Sequence, residues 1–283
     1  MKNTFFLINL ILVVNLNAKT ILSLKKALEL KFVSAKATNN GGYQGDCMLL
    51  TLTNFTKDSL EVQLEPGFVF NSKNDSKQDI IVTREEFFVL GSQSSISKKI
   101  KGYCCQAGKS APSSGEAYTF NFNPAKELTQ LALFLNKNKF LAQAEQQAIW
   151  AISDNKNTAN ITGNNDSLQM QLRHYVAKLK GEPIPWYVLE TKTIHYSSGN
   201  METLALNLTG DLTFSMPNEA YAMLHVLNSK GEEVCKIIHQ YLKASPNLTL
   251  PVKFSVSGLK KGKYKVELKT KNNAVCEREF EIT

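Results

Sequence analysis

The chain has 283 residues, of which 43% are hydrophobic, and carries a formal net charge of +8. This length is long for one domain and natural for two, because domains usually hold about 100–200 residues. The lysines are spread along the chain instead of clustered, which argues against a nucleic-acid surface and favours acidic partners. No phosphate-cradling glycine loop or dinucleotide fingerprint occurs, so we expect no cofactor.

The first eighteen residues, MKNTFFLINLILVVNLNA, have the layout of a secretory signal peptide. Lys2 precedes an apolar run from Phe5 to Leu16, and the small residue Ala18 ends the segment. The run is too short to cross a bilayer, and no later stretch has the ~18 apolar residues that a spanning helix needs. We therefore expect cleavage after residue 18 and an exported chain, periplasmic, surface-bound or secreted, with no transmembrane span in its mature form.

Residues 19–182 are predicted to form one domain. Short β-branched and apolar runs alternate with polar turns from Cys47 to Tyr103, a pattern typical of an antiparallel β-sandwich. The spacing of apolar residues then changes to three and four, which predicts three helices over PAKELTQLALFLNKN, KFLAQAEQQAIWAISD and DSLQMQLRHYVAKLKG. The fold class is therefore mainly β, with an α subdomain attached to the first sandwich.

Residues 183–283 are predicted to form a second domain, and the sequence EPIP at 182–185 is the candidate linker between the two. Short strands with turn residues between them again predict an all-β sandwich. The stretches VLNSKGEEV and FSVSGLKKGKYKVEL are similar to the immunoglobulin-like C-terminal domains of Bacteroidetes-type exported proteins, including those recognised by type IX secretion. The resemblance implies an immunoglobulin-like sandwich.

Five cysteines cannot all pair within one exported chain, so one is left over. Cys235 and Cys276 lie in predicted strands of the second domain and are the first choice for a disulfide, with two buried thiols as the alternative. Of the adjacent residues Cys104 and Cys105, only one can meet Cys47, because neighbours on a strand point to opposite faces. The other thiol stays free, and these residues alone leave open which one it is.

Gln146 is the glutamine that we expect to face the domain interior. On a helix it shares a stripe with Ala142, Ile149 and Trp150. A buried amide needs hydrogen-bond partners or a special reason to be there. Gln146 is therefore the polar residue to examine beside the free thiol.

The two motifs together resemble the bacterial thioester domains of surface adhesins. Tyr103-Cys104 is followed 42 residues later (146 − 104) by Gln146-x-Ala148-Ile149-Trp150, and Glu145 stands where the family's motif has threonine. The resemblance implies that the Cys104 thiol and the Gln146 side chain form an internal thioester, and that Cys105 pairs with Cys47. Such a thioester is an activated acyl group that an amine of a partner can capture.

Other assignments remain open. The sequence GYCCQAGKSAP is similar to that of uncharacterised Bacteroidetes-type exported proteins, for which no activity is implied. A cysteine hydrolase or acyl transferase would pair Cys104 with His174 as its base. His195, His225 and His239 lack metal-ligand spacing, so no metal is expected. The primary expectation is a binding or adhesion protein whose partner is a protein or glycan at an envelope or host surface, and a non-catalytic structural component is the remaining alternative.

Overall fold

The structure is a computed structural model that describes residues 21–163, 166–196, 201–271 and 273–283. The predicted signal peptide, residues 1–18, lies outside the described residues. Before residue 125 the elements are β1 (Ile21–Ser23), α1 (Leu24–Glu29), β2 (Val33–Asn39), β3 (Gln44–Asn54), β4 (Leu60–Leu64), β5 (Val69–Ser72), β6 (Ile80–Val82), β7 (Glu86–Leu90), β8 (Ser95–Cys104) and β9 (Ala117–Asn121).

Three longer helices follow these strands, and seven strands complete the chain. The helices are α2 (Lys126–Lys137), α3 (Ala142–Ser153) and α4 (Asp166–Lys180), with a short 3₁₀ turn at Thr158–Asn160. The strands are β10 (Tyr187–His195), β11 (Met201–Met216), β12 (Ala220–Asn228), β13 (Glu233–Leu242), β14 (Ser245–Ser255), β15 (Gly262–Thr270) and β16 (Ala274–Ile282). The prediction of a mainly β chain with helices between two groups of strands is confirmed.

The first group of strands closes into a barrel. Its six strands pair in the order β2-β3-β8-β6-β5-β9, and β9 pairs back to β2. A separate three-stranded sheet, β1-β4-β7, contributes Val62, Leu64 and Phe88 to the same core as the barrel interior. The alternation along the chain predicts a sandwich, and the structure instead folds these strands as a barrel with a sheet beside it, because both arrangements bury every second residue.

Strand β8 separates two apolar cores. Its residues Ile100 and Cys104 face the barrel interior, whereas Tyr103 lies in the core that the barrel shares with α2, α3 and α4. The helices reach this second core through residues spaced three or four apart, such as Leu128, Leu131 and Leu135 of α2. The helical layer therefore covers one side of the barrel wall, and β8 carries side chains into both cores.

The second group of strands forms two antiparallel sheets that share one core. The sheets are β10-β11-β14 and β13-β12-β15-β16. Their inward residues, among them Leu208 and Val252 from one sheet and Leu224 and Val266 from the other, belong to a single apolar cluster. The predicted boundary at residue 182 falls between α4 and β10, where the two groups of strands separate.

The loop after α3 ties the two parts of the chain together. Ala159 is buried in the core of the second group of strands. The Asn157 side-chain amide donates to the Tyr187 hydroxyl at 2.9 Å and to the Glu281 carbonyl at 2.8 Å. The loop therefore contacts the second group of strands through both polar and apolar residues. None of the described helices combines the length and the apolar character that crossing a bilayer requires.

Gly102 is a point where the barrel has no room for a side chain. A Cβ there would lie 2.5 Å from Ile80 Cγ2 and 3.2 Å from the Ile81 carbonyl oxygen. We predict that Gly102→Ala lowers the free energy of unfolding by about 1–3 kcal/mol, because overpacking forces the neighbouring strand to shift. Urea unfolding measures this, with Gly108→Ala as the control, since no atom lies within 4 Å of a Cβ at that position. Equal effects of the two variants would contradict the prediction.

Candidate functional site

Cys104 faces the barrel interior together with Cys47. Both thiols are buried in the same apolar cluster, which also contains Tyr118. Cys47 Sγ lies 3.4 Å from the position that a Gly102 Cβ would occupy. Gly102 and Cys104 are two residues apart on one strand and therefore share a face. Cys104 is thus the member of the doublet that lies on the Cys47 side of the barrel wall.

Cys105 lies on the opposite face, in the core shared with the helices. Its backbone N–H donates to the Asp79 carbonyl at 2.8 Å, and its carbonyl accepts from the Ser153 hydroxyl. The barrel wall therefore separates Cys105 from Cys47. The disulfide between these two residues that the resemblance implies does not fit this arrangement, because neighbouring residues of one strand cannot both reach the same side.

Gln146 places its side-chain amide against the backbone of Cys104. Gln146 Oε1 accepts from the Cys104 N–H at 3.2 Å, and Gln146 Nε2 donates to the Cys104 carbonyl at 2.8 Å. Gln146 is 2% exposed. The structure thus places the Gln146 amide on the Cys104 backbone, whereas the Cys104 side chain lies in the barrel core with Cys47. Both hydrogen bonds use the strand backbone, so the amide joins α3 to the end of β8.

Trp150 covers this contact one helical turn further along α3. Its ring stacks on Tyr43 with a centroid separation of 6.4 Å and an interplanar angle of 9°, and it is 2% exposed. Tyr43 also accepts the Cys104 N–H through its carbonyl, at 2.9 Å. The role of Tyr43 had no signal in the sequence, because the loop that carries it is short and rich in glycine.

A cavity of about 280 Å³ lies beside Gln146 at the junction of the two domains. Gln146, Trp150 and Tyr43 form one wall, and residues 191–193 of β10 form another. The buried Trp150 Nε1 and Thr191 Oγ1 have no hydrogen-bond partner within the described part of the chain. Unpartnered buried donors are rare and call for an explanation, such as a bound molecule. The cavity therefore borders Gln146 from the side of the second group of strands.

Glu145 anchors the start of α3 to the barrel. Its carboxylate is fully buried and pairs with the Arg84 guanidinium, while Lys101 Nζ lies 3.7 Å from its other oxygen. Arg84 also donates to the Leu135 carbonyl near the end of α2. One arginine thus connects the barrel with two helices. Sequence reasoning missed this role of Glu145, which is visible only once Arg84 is placed 61 residues away in the chain.

The two buried thiols of the barrel are held in their protonated form. Burial raises the pKa of Cys47 to about 12. Burial first, and then the neighbouring thiols Cys47 and Cys105, raises the pKa of Cys104 well above its ordinary value. Because the thiolate is the nucleophile, Cys104 needs to lose its proton before it can react.

The histidine of the hydrolase alternative lies elsewhere. His174 is exposed on α4 and lines a different cavity with Phe134, Tyr175 and Pro183. No cysteine lines that cavity. Nothing in the described residues brings His174 to Cys104 as a base. The described residues also contain no cluster of three or more histidine, cysteine or acidic side chains that could hold a metal ion.

Cys235 and Cys276 are too far apart for the disulfide expected between them. Cys235 lies on β13 and Cys276 on β16, the two edges of one four-stranded sheet. Three strand spacings of about 4.8 Å separate them by roughly 14 Å, whereas a disulfide needs Cα atoms within about 7 Å. All five cysteines are unbonded in the structure. The second domain therefore contains two separate thiols, which is the alternative that the sequence left open.

Thiol labelling checks the burial of the site. In the reduced native protein at pH 8 we predict that iodoacetamide modifies Cys235, which is partly exposed, and that the other four cysteines react only in denaturant, because burial removes both access and thiolate. Peptide mapping identifies the labelled residue. Rapid native labelling of Cys104 would show instead that its sulfur reaches solvent.

The buried charge of Glu145 gives a second prediction. We expect Arg84→Met to lower the free energy of unfolding by about 3 kcal/mol, since it leaves a fully buried carboxylate without its main partner. The matched control is Lys98→Met, which removes a more exposed pair with Glu86 and should cost about 0–1 kcal/mol. Chemical denaturation compares them, and a loss no larger than that of the control would overturn the assignment.

Comparison with known proteins assigns no family to the chain. No protein-family model matches it, and no curated protein does. The likeness to thioester domains therefore rests on the residues of the two motifs, and the function proposed below rests on the geometry of the site.

Proposed function

We propose that this protein is an exported binding or adhesion protein of the cell envelope, and that its first domain captures an amine-bearing partner through a thioester between Cys104 and Gln146. The observation that carries the proposal is the double hydrogen bond between the Gln146 amide and the Cys104 backbone. It holds an acyl donor against a cysteine from another element of the fold.

Formation of the thioester and its reaction with an amine need only the groups that the site and the partner supply. Cys104 Sγ attacks Gln146 Cδ, a C–S bond forms, the C–N bond of the amide breaks, and ammonia leaves with the thiol proton. An amine of the partner then attacks the same carbon, which forms an amide and returns the thiol. No external oxidant or cofactor is needed for either step.

Two local changes have to precede the first step. The Cys104 side chain lies with Cys47 in the barrel core, so its sulfur needs to turn toward the Gln146 amide at the edge of the wall. Its raised pKa also needs a transient base, because burial opposes the thiolate. Both requirements make bond formation slow, which is compatible with a single event during maturation.

The surroundings favour survival of the product. Trp150 is buried and stacks on Tyr43, which shields one side of the Gln146 amide, and shielding from water slows hydrolysis of an activated acyl group. The cavity beside Gln146 gives an amine a route to the site.

The second domain fits a role as an immunoglobulin-like spacer or binding module. Of its seven strands, the first, second and fifth (β10, β11 and β14) form one sheet. The other sheet has the order β13-β12-β15-β16, which are the fourth, third, sixth and seventh strands. This order is that of a seven-stranded sandwich in which the fourth strand pairs with the third. Such domains commonly present binding surfaces on exported proteins, which supports an adhesive role.

Intact mass of the purified mature chain tests the thioester. We expect a mass lower than the sequence mass by one ammonia, about 17 Da, and addition of one methylamine at Gln146 on incubation with that amine. Cys104→Ala and Gln146→Ala should each abolish both effects. The matched controls are Cys105→Ala and Gln147→Ala, which alter buried neighbours of the same chemistry and should leave both effects intact.

A mass equal to that of the unmodified chain, with no methylamine adduct, would refute covalent capture and leave a non-covalent binding or structural protein. Loss of the mass effect in the Cys105 variant alone would move the thiol donor to Cys105. Circular dichroism of each variant separates loss of chemistry from loss of the fold.

A further inference from the structure

The cavity beside Gln146 is lined mainly by polar side chains that carry no charge. Besides Gln146, its walls include three glutamines and two threonines, which are Gln44, Gln143, Gln147, Thr191 and Thr193. An amide side chain offers both a donor and an acceptor, and so does a hydroxyl group. The cavity therefore suits a polar ligand that both donates and accepts hydrogen bonds.

Lys192 is the residue that gives this cavity its charge. Among the described residues that line it, only Lys192 is charged. Lys192 is exposed and lies on β10, an edge strand of the sheet β10-β11-β14. Its neighbour across the sheet is Leu204. Neither the open edge of the sheet nor Leu204 supplies a carboxylate, so the Lys192 ammonium group is available to a ligand.

The carboxylates on nearby elements do not line this cavity. They belong to Asp46 of β3, Glu145 of α3, Glu190 of β10 and Glu202 of β11. Glu145 is paired with Arg84 on the barrel side of α3. Glu190 and Glu202 each accept a hydrogen bond from a neighbouring side chain, and Glu202 lines a separate cavity. The described lining of the cavity therefore has a net positive charge.

This charge decides which amines the cavity favours. An amine attacks an acyl carbon only as the free base, and a nearby cation disfavours its protonated form. The Lys192 ammonium group therefore opposes a second cation in the cavity. It also attracts a carboxylate, which accepts charge-assisted hydrogen bonds from it. An amine with a carboxylate beside it fits both conditions.

The size of the cavity limits what can enter. Its volume of about 280 Å³ lies near the lower end of the range of roughly 300–1,000 Å³ that small-molecule sites span. The cavity therefore admits a single side chain and not a folded surface. An extended peptide segment that inserts one lysine side chain meets this limit.

We propose that the amine captured at Gln146 is the side-chain amine of a lysine with a carboxylate close to it, as in an acidic peptide segment, and that Lys192 selects this partner. The inference rests on the proposed function, because it names the partner of the same site. Lys192 does not take part in the exchange of bonds at Gln146, so it determines specificity and is not a catalytic residue.

Three primary amines of similar length test the proposal on the full mature chain. They are γ-aminobutyrate, n-butylamine and putrescine, whose far ends are anionic, neutral and cationic. We expect γ-aminobutyrate to add to Gln146 at least about threefold faster than n-butylamine at low salt, since opposite charges a few ångströms apart attract by this much even in water. Putrescine should be the slowest, and high salt should reduce both differences. Intact mass against time measures each rate.

Two variants assign the preference to one residue. Lys192→Gln should remove the difference between γ-aminobutyrate and putrescine beyond their intrinsic reactivity, and Lys192→Glu should reverse it. The matched control is Lys230→Gln, which removes an exposed lysine of the turn after β12 and should keep the preference of the unaltered chain. Loss of one ammonia before any amine is added should be the same in all variants, which shows that the thioester itself is intact.

The outcomes separate this inference from the proposed function. Equal rates for the three amines, or a preference that Lys192→Gln leaves unchanged, would overturn selection by Lys192 while the ammonia loss leaves covalent capture standing. The fastest reaction with putrescine would overturn it as well and indicate a cationic partner. A chain with neither ammonia loss nor an adduct of any amine would contradict covalent capture, and the inference would fail with it.

Discussion

The alternation of side chains along β8 is the constraint on which the first domain depends. One strand supplies residues to the barrel core and to the core under the helices, so each residue near its end has a fixed side. Gly102 leaves room for Cys47, Cys104 faces the barrel, and Cys105 faces the helices. A shift of one residue in register would exchange the sides on which the two thiols lie.

The candidate site is a consequence of how α3 is held against that strand. Glu145, buried and paired with Arg84, holds the start of the helix, and the next residue, Gln146, then hydrogen-bonds to the backbone of Cys104. The same arrangement presents Trp150 to Tyr43 one turn later. An ion pair and an amide contact thus act as one anchor. Formation of a thioester at Gln146 would weaken this anchor, because loss of the side-chain nitrogen breaks the hydrogen bond to the Cys104 carbonyl.

The two domains divide the surface of the protein between them. The first places Gln146 beneath the stacked rings of Trp150 and Tyr43, beside a cavity at the junction, whereas the second leaves aromatic rings exposed on an open sheet. Burial suits a group that needs protection from water, and exposed rings are available for contact with a partner. The loop that carries Asn157 and Ala159 joins the two parts, so the junction cavity depends on both domains being in place.

The sequence by itself determined the periodic features. Alternation predicted the strands, and spacing of three and four predicted α2, α3 and α4, because these follow from local geometry. The stripe through Ile149 and Trp150 predicted that Gln146 faces inward, as it does, but it did not predict that Gln147 is buried to the same extent. Closure of the barrel, the pairing of Arg84 with Glu145 and the separation of Cys235 from Cys276 were decided by the tertiary structure. Each depends on which strands become neighbours, and strand order is set by contacts between residues far apart in the chain, which no local pattern records. For the same reason the alternation of side chains along a strand could predict that Cys104 and Cys105 face opposite sides. Only the folded barrel shows that Cys104 faces its interior and Cys105 the helices.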